Sequence, residues 1–226
     1  VKKPYRLPWC KSCDNPVALD AAGADIIVPE NVEEIRIIDY NMIKFSSEEG
    51  IFPIATLRPE TIFGVTNLWF NPDSDYVKCD VGGETWILAR DSVQQLRDLG
   101  KEITIGDKIE SAILENLLIT NPINSEQVPL VRADFVSSTD GTGVVMSVPA
   151  HDPHDYLYLM KERPDLEDQI RSVISMGDSD VPARALINQM GGPEHADLEL
   201  VKKRLYRMEN SGVMNEATGR DKGMSA

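Results

Sequence analysis

The stretch ATLRPETIFG (residues 55–64) organises the rest of the chain, because it changes from a strand pattern to a helix pattern within a few residues. The segment IFPIAT (51–56) that leads into it is mostly apolar and β-branched, which is typical of a buried strand. Pro59 then occupies a favoured first helical position, Glu60 suits the positive end of a helix, and Gly64 can end that helix. The stretch therefore predicts a strand that runs directly into a short helix, with polar side chains at the junction.

Strand patterns dominate the region around this stretch. Segments such as NLWF (67–70), YVKCDV (76–81) and ETWILA (84–89) are short and apolar, and Gly82 and Gly83 suit a tight hairpin between two of them. Beyond Pro164, LEDQIRSVI (166–174), PARALINQM (182–190) and DLELVKKRLYRM (197–208) have helical spacing. The sequence therefore predicts an α+β fold with a β-barrel-like core, short peripheral helices and a C-terminal helical extension.

The chain has 226 residues, of which 42% are hydrophobic, so it can bury a substantial core as a single domain. We divide residues 1–226 into an incoming ribbon (1–32), a β-rich core that carries the active site (33–163), a helical extension (164–212) and an exit ribbon (213–226). The sequence begins with valine and ends in no recognisable element, so we expect it to be excised from a longer enzyme.

The charge balance restricts the possible partners. A formal net charge of -14 and a pI near 4.6 argue against a protein that finds DNA or other nucleic acid by broad electrostatics. An odd number of cysteines, no secretory leader and no apolar run long enough to cross a bilayer predict a cytoplasmic protein without a membrane partner.

Cys10 and Cys13 have the spacing of one half of a zinc knuckle, in which two thiolates share a metal. No second cysteine pair follows, and the histidines are distant in the sequence. Zinc at this pair is an open alternative, but a turn without metal is the favoured interpretation.

A second unusual segment is TDGTGVVMSVPAHDPHDY (residues 139–156). Its strand places Met146 and Val148 on one face, and a helix follows with Asp152 at the N-cap position and Asp155 in the first turn. Helix capping explains Asp152 simply, whereas Asp155 can also project toward an adjacent pocket. His151 is either a general base or a hydrogen-bonding residue ahead of the capped helix.

Neither segment contains a familiar catalytic signature. The sequence has no G-x-S-x-G elbow, no H-E-x-x-H and no phosphate-binding glycine loop. Two histidines and two aspartates lie close together in the second segment, but Pro153 interrupts them and their spacing is not that of one helical face. A metal site there is therefore not favoured.

Taken together, ATLRPETIFG with the following VTNLWFNPDSDY, and TDGTGVVMSVPAHDPHDY, resemble the editing (connective polypeptide) insertion of leucyl-tRNA synthetase of the archaeal and eukaryotic type. The editing insertion of valyl-tRNA synthetase is the nearest alternative, and Leu57 with IFGVTNLW favours the leucyl family. Signatures of the aminoacylation site are absent, so the resemblance implies a proofreading domain within a class I leucine-tRNA ligase.

The resemblance implies hydrolysis of the ester between a wrong amino acid, norvaline, isoleucine or methionine, and the 3' acceptor end of leucine tRNA. The implied partners are that tRNA and the rest of the parent synthetase, and editing would need no cofactor. The implied catalytic residues are Thr56, Arg58 and Asp155. The implied substrate-binding residues are Thr61, Met146, Val148, His151 and Asp152, with no metal ligand. The competing hypothesis is a non-catalytic module that binds a tRNA acceptor end.

Overall fold

A computed structural model describes residues 9–10, 15–16, 41–139, 141–175 and 180–225. Two short strands, β1 (Trp9–Cys10) and β2 (Asn15–Pro16), pair with each other. The main sheet has nine strands. In chain order these are β3 (Asn41–Ser46), β4 (Ile51–Thr56), β5 (Asn67–Phe70), β6 (Tyr76–Val81), β7 (Glu84–Ala89), β8 (Thr104–Ile109), β9 (Leu118–Thr120), β10 (Gln127–Arg132) and β11 (Val144–Ser147).

The strands follow the order β11-β5-β10-β9-β3-β4-β7-β6-β8 across the sheet. Most neighbours are antiparallel, but β10 runs parallel to β5, and β4 parallel to β7. Within the described part of the chain, β11 and β8 form the two edges and do not pair with each other. The prediction of an α+β fold is confirmed, whereas closure into a barrel is not, because the sheet stays open.

The helices and minor strands complete the fold. The α-helices are α1 (Ser92–Asp98), α2 (Ser111–Leu114), α3 (Pro153–Glu162), α4 (Pro182–Gln189) and α5 (Leu198–Glu209). Three 3₁₀ helices span Pro59–Gly64, Pro164–Gln169 and Glu216–Asp221, and β12 (Ile174–Ser175) pairs with β13 (Val213–Met214). No helix in the described ranges is both long and apolar enough to cross a bilayer.

The hairpin expected at Gly82 and Gly83 joins β6 to β7, with Val81 opposite Glu84. Both glycines have positive φ, 64° and 85°, which is the conformation that a two-residue turn of this type requires. By contrast, the helix predicted over residues 166–174 is wrong beyond its first turn. A 3₁₀ helix ends at Gln169. The β-branched Val173 then precedes the short strand β12, which begins at the β-branched Ile174.

Strand β5 separates two hydrophobic layers, and all four of its residues are buried. Leu68 and Phe70 pack into the core formed by the sheet, while Trp69 points to the opposite side and packs with Leu159 of α3 and Leu205 of α5. Alternation along one strand therefore gives it two buried faces. The C-terminal helices cover the second face, next to the segment where β4 becomes the 3₁₀ helix.

Candidate active site

Both unusual segments of the sequence line one cavity of about 800 Å³. The first segment supplies the end of β4 and the 3₁₀ helix Pro59–Gly64, and the second supplies β11 and the start of α3. All of the sequence-predicted site residues except His151 line this cavity, namely Thr56, Arg58, Thr61, Met146, Val148, Asp152 and Asp155. The fold therefore brings together residues that lie about 90 positions apart in the chain, on one side of the sheet edge.

The threonines at the strand-to-helix junction shape its backbone. Thr56 Oγ1 accepts a hydrogen bond of 3.0 Å from the Arg58 amide, and the Thr61 hydroxyl donates to the Arg58 carbonyl at 2.8 Å. Thr61 is fully buried, so its side chain forms part of the cavity floor and is not a mobile group at the surface. Because its hydroxyl proton is committed to the backbone, Thr61 contributes shape more than chemistry.

Asp155 is held by two neutral donors. Its Oδ1 accepts from the indole Nε1 of Trp69 and its Oδ2 from the amide of Val148, both at 2.8 Å. Burial, followed by the nearby Asp152 carboxylate, raises the pKa of Asp155 to about 7, against the lowering effect of these hydrogen bonds and of Lys202. The group is thus poised between its neutral and charged forms near neutral pH.

Asp152 has the structural role that its position predicted, since its carboxylate accepts from the amides of His154 and Asp155 at the start of α3. The carboxylate also forms an ion pair of 2.7 Å with Lys202 of α5. Burial alone would lower the pKa of the Lys202 ammonium, but the Asp152 charge raises it. Asp152 is therefore a helix cap that is neutralised by a cation from the C-terminal extension.

Arg58 is held from several sides. Its Nη1 donates to Glu209 Oε2 at 2.5 Å, its Nε donates to Glu60 Oε1 at 2.8 Å, and its guanidinium lies 4.6 Å from the centre of the Tyr206 ring. Burial works to lower the pKa of Arg58, but the charges of Glu209 and Glu60 raise it overall. The guanidinium remains cationic and has a fixed orientation at the cavity wall.

Lys202, Tyr206 and Glu209 were not predicted as site residues. They occupy positions i, i+4 and i+7 of α5, so one helical stripe presents all three to the cavity or to Arg58. That spacing was the only sequence signal for these three residues, and the apolar residues of the same helix form a more obvious pattern.

His151 lies behind the cavity wall and is fully buried. Its Nδ1 is 2.6 Å from Glu209 Oε1, and its Nε2 accepts a hydrogen bond of 2.9 Å from the Val173 amide. Since Nε2 acts as an acceptor, the ring proton must lie on Nδ1 and point to Glu209. With both nitrogens engaged, this geometry favours an indirect role over direct contact with a substrate or a water nucleophile.

A cluster of aromatic side chains also lines the cavity. Phe135 is 50% exposed and packs edge-on against Tyr158 and Trp69, with ring centres 4.8 and 5.9 Å away. The Tyr158 hydroxyl donates to Asp134, and the Lys161 ammonium lies 5.0 Å from the Tyr158 ring centre. The cluster places an accessible aromatic face at the mouth of the cavity.

The residues that the structure describes contain no group of three or more His, Cys, Asp or Glu side chains that could hold a metal ion. The zinc alternative concerns Cys13 and the side chain of Cys10, which lie outside the described residues. Cys79 is a buried free thiol.

Comparison with known proteins identifies the class. The model of the leucyl-tRNA synthetase editing domain matches residues 40–196, which is more than half of the chain. The chain therefore belongs to the family of leucyl-tRNA synthetase editing domains. This result confirms the family that the two motifs resembled and leaves the valyl alternative without support.

Individual relatives agree with this assignment. The chain is 37% identical to the leucine--tRNA ligase of Methanocaldococcus jannaschii over 96% of its own length and 36% identical to that of Methanococcoides burtonii over 100%. It spans only about a quarter of those ligases, 24% and 25%. The crystal structure of the P. knowlesi cytosolic leucyl-tRNA synthetase editing domain has a TM-score of 0.64 at 16% identity, with 82% of this chain and 88% of that one covered. The structural likeness establishes the same fold.

Proposed function

We propose that this chain hydrolyses the ester bond between a wrong aliphatic amino acid and the terminal adenosine of leucine tRNA. The expected errors are norvaline, isoleucine and methionine. An aminoacylation pocket that separates side chains differing by one methylene discriminates between them by only about 1 to 3 kcal/mol, so a second site is needed to remove the errors. Membership of the editing-domain family supports this proposal. The charged residues of the cavity indicate how the ester would be recognised.

One observation carries the proposal. Among the described side chains that line the cavity, the carboxylate of Asp152 is paired with Lys202, whereas Asp155 is bonded to the neutral donors Trp69 and Val148. A partly buried carboxylate held in this way has capacity for one more partner, and a cation would stabilise its charged form. The α-ammonium of an aminoacyl ester supplies that cation and fixes the position of the adjacent carbonyl.

The same cavity has surfaces for the other parts of the substrate. Met146 and Val148 give an apolar wall for the amino-acid side chain, and the buried Thr61 limits its depth. Arg58 and the exposed Phe135 also line the cavity, and they offer a cation and an aromatic face to a ribose or a nucleobase. In this arrangement leucine, which is branched at Cγ, is refused by shape, whereas norvaline, isoleucine and methionine, which are not branched at Cγ, are accepted.

The proposed reaction is direct attack by water. The water oxygen forms a bond to the ester carbonyl carbon, the bond from that carbon to the ribose oxygen breaks, and a proton from the attacking water passes to the leaving ribose oxygen, which becomes a hydroxyl. His151 is engaged at both nitrogens, so the neighbouring ribose hydroxyl of the substrate and ordered water are the better candidates for proton transfer. Positioning of a labile ester supplies most of the acceleration, and neither a metal nor another cofactor is required.

We place the chain within a cytoplasmic synthetase, where it receives the 3' acceptor end of the tRNA. A net charge of -14 gives it little general attraction for a polyanion, so the rest of the parent synthetase must hold most of the tRNA. The cavity then needs to recognise only the aminoacylated terminus.

The direct test is deacylation of isoleucyl- and norvalyl-tRNA by the purified 226-residue chain, with leucyl-tRNA as the refused substrate. We expect release of isoleucine and norvaline above the spontaneous rate, and loss of that activity in Asp155→Ala with the fold retained. Acetylation of the substrate's α-amine should also prevent turnover, because it removes the cation. Binding without hydrolysis would favour the non-catalytic acceptor-end module instead.

A further inference from the structure

The buried carboxylate of Glu209 joins three separate parts of the chain. Glu209 is the last residue of α5 and is 1% exposed. One of its oxygens bonds Arg58 from the first motif, and the other bonds His151 from the second. Glu209 itself comes from the C-terminal extension, beyond residues 40–196 that match the family model.

We propose that Glu209 is a positioning residue of the editing site, which fixes the guanidinium of Arg58 and the ring of His151. The inference rests on the proposed deacylation function. It assigns α5 a part in catalysis, where the sequence predicted only a helical extension.

The contact with Arg58 orients a cavity-lining cation. The Arg58 side chain is 21% exposed, so part of it faces the cavity while its Nη1 is bonded to Glu209. Glu60 and the ring of Tyr206 hold the same guanidinium, but Glu60 is itself 27% exposed, so the buried Glu209 is the more rigid anchor. A guanidinium that is oriented before the substrate arrives loses little freedom on binding.

The contact with His151 reaches the other wall. The Val173 amide donates to Nε2, which leaves the Nδ1 proton for Glu209 and fixes the ring in one tautomer. His151 immediately precedes Asp152, the cap of the helix that carries Asp155. Glu209 thus holds the residue that precedes the cap of this helix, as well as the cavity-lining Arg58.

The substitution Glu209→Gln separates positioning from simple filling of space. Glutamine has nearly the same shape but only one acceptor oxygen, so it can satisfy either Arg58 or His151 and must turn an N–H toward the other donor. We expect kcat for isoleucyl-tRNA to fall by about tenfold to 100-fold with a much smaller change in KM, because the loss is one of alignment. Glu194→Gln, which removes the same charge at an exposed site, should leave both constants unchanged.

Two further measurements test the contacts through which Glu209 acts. In a double-mutant cycle, Arg58→Met combined with Glu209→Gln should be little worse than the more damaging single variant, because both remove the same interaction. In proton NMR, the His151 Nδ1 proton should resonate far downfield in the wild type and move upfield in Glu209→Gln. The resonance can be assigned by comparison with His154→Gln and His195→Gln.

The outcomes are separable. A wild-type chain that does not hydrolyse isoleucyl-tRNA overturns the proposed function, and the positioning role with it. An active wild type with an equally active Glu209→Gln overturns the positioning role alone, even if the variant unfolds at a lower temperature. Additive effects in the double-mutant cycle, or an unmoved His151 resonance, would also refute it.

Discussion

The titration of Asp155 should control editing near neutral pH. A substrate ammonium needs the carboxylate in its charged form, but burial and then Asp152 raise the pKa of Asp155 to about 7. With that pKa the carboxylate is about 90% ionised at pH 8 and about 10% ionised at pH 6. We therefore expect kcat/KM for isoleucyl-tRNA to fall by roughly ninefold between pH 8 and pH 6.

Two variants make this test specific to Asp155. Asp155→Asn cannot ionise, and it can accept from only one of the two donors, Trp69 and Val148. It should lower kcat/KM at pH 8 by about tenfold to 100-fold, the value of a hydrogen bond to a charged group, and should abolish the step near pH 7. Asp152→Asn keeps the helix cap but removes the charge that helps to raise the pKa, so it should move the step to lower pH.

The assay is the initial rate of deacylation at subsaturating substrate from pH 5.5 to 8.5, after subtraction of spontaneous hydrolysis. Because wild type and variants use the same substrate, the ratio of their rates removes the titration of the substrate's own ammonium. The reasoning fails if Asp155→Asn retains the wild-type step, or if Asp152→Asn moves the step upward.

The same pKa has a consequence for folding stability. The pKa of Asp155 rises from 3.8 to about 7, so the folded chain binds a proton that the unfolded chain has released between those values. Stability contributed by the neutral form is present below pH 4 and is lost as pH rises toward 7, by up to about 4 kcal/mol. Urea unfolding at pH 5 and pH 8 should therefore show a smaller pH-dependent loss for Asp155→Asn than for the wild type; equal losses would contradict the linkage.

Three further substitutions test the remaining parts of the cavity. Thr61→Ala should admit leucine and raise hydrolysis of leucyl-tRNA by about tenfold or more, since one methyl group in a pocket is worth about 1 to 3 kcal/mol. Thr61→Ser keeps the hydroxyl and removes the methyl, so it tests whether the methyl group is responsible. Intact leucyl-tRNA with both variants would place the discriminator elsewhere. Phe135→Leu should raise KM by about fivefold or more while Phe135→Tyr does not, because stacking on a base is worth about 1 to 3 kcal/mol; an unchanged KM in steady-state deacylation would exclude stacking. Leu205→Ala removes a fully buried side chain between α5 and the sheet and should cost about 2 to 5 kcal/mol of unfolding free energy in urea titrations, whereas a loss below about 1 kcal/mol would show that α5 packs loosely.

Local patterns in the sequence predicted local structure well. Pro59 begins a helix and Asp152 caps one, as their residue types indicated, and the glycine pair at 82 and 83 forms the expected hairpin. Each of these features depends on conformational preferences within a few residues. The first helix is a 3₁₀ turn of six residues, which the same preferences could not distinguish from a short α-helix.

Contacts between distant segments were less accessible from the sequence. With helical spacing, Met208 shares the apolar face of α5 with Val201 and Leu205, yet Met208 is 39% exposed and the adjacent Glu209 is buried. Hydrophobic spacing indicates which residues prefer burial, but it cannot indicate a carboxylate whose cost of burial is offset by two partners elsewhere in the chain. Arg58 and His151 are such partners, 151 and 58 residues away.

The pairing of charges around the cavity suggests why the extension is part of the site. The first two motifs alone would leave Asp152 and Arg58 without their partners Lys202 and Glu209, which both come from α5. Without Glu209, Arg58 would keep only the part-exposed Glu60 as a charged partner, and an unpaired Asp152 would raise the pKa of Asp155 further. By neutralising one charge of each sign, α5 leaves Asp155 as the carboxylate that the substrate's ammonium meets. In the proposed function, the selectivity of the cavity for an aminoacyl ester thus depends on charge pairing by α5 as well as on the two motifs.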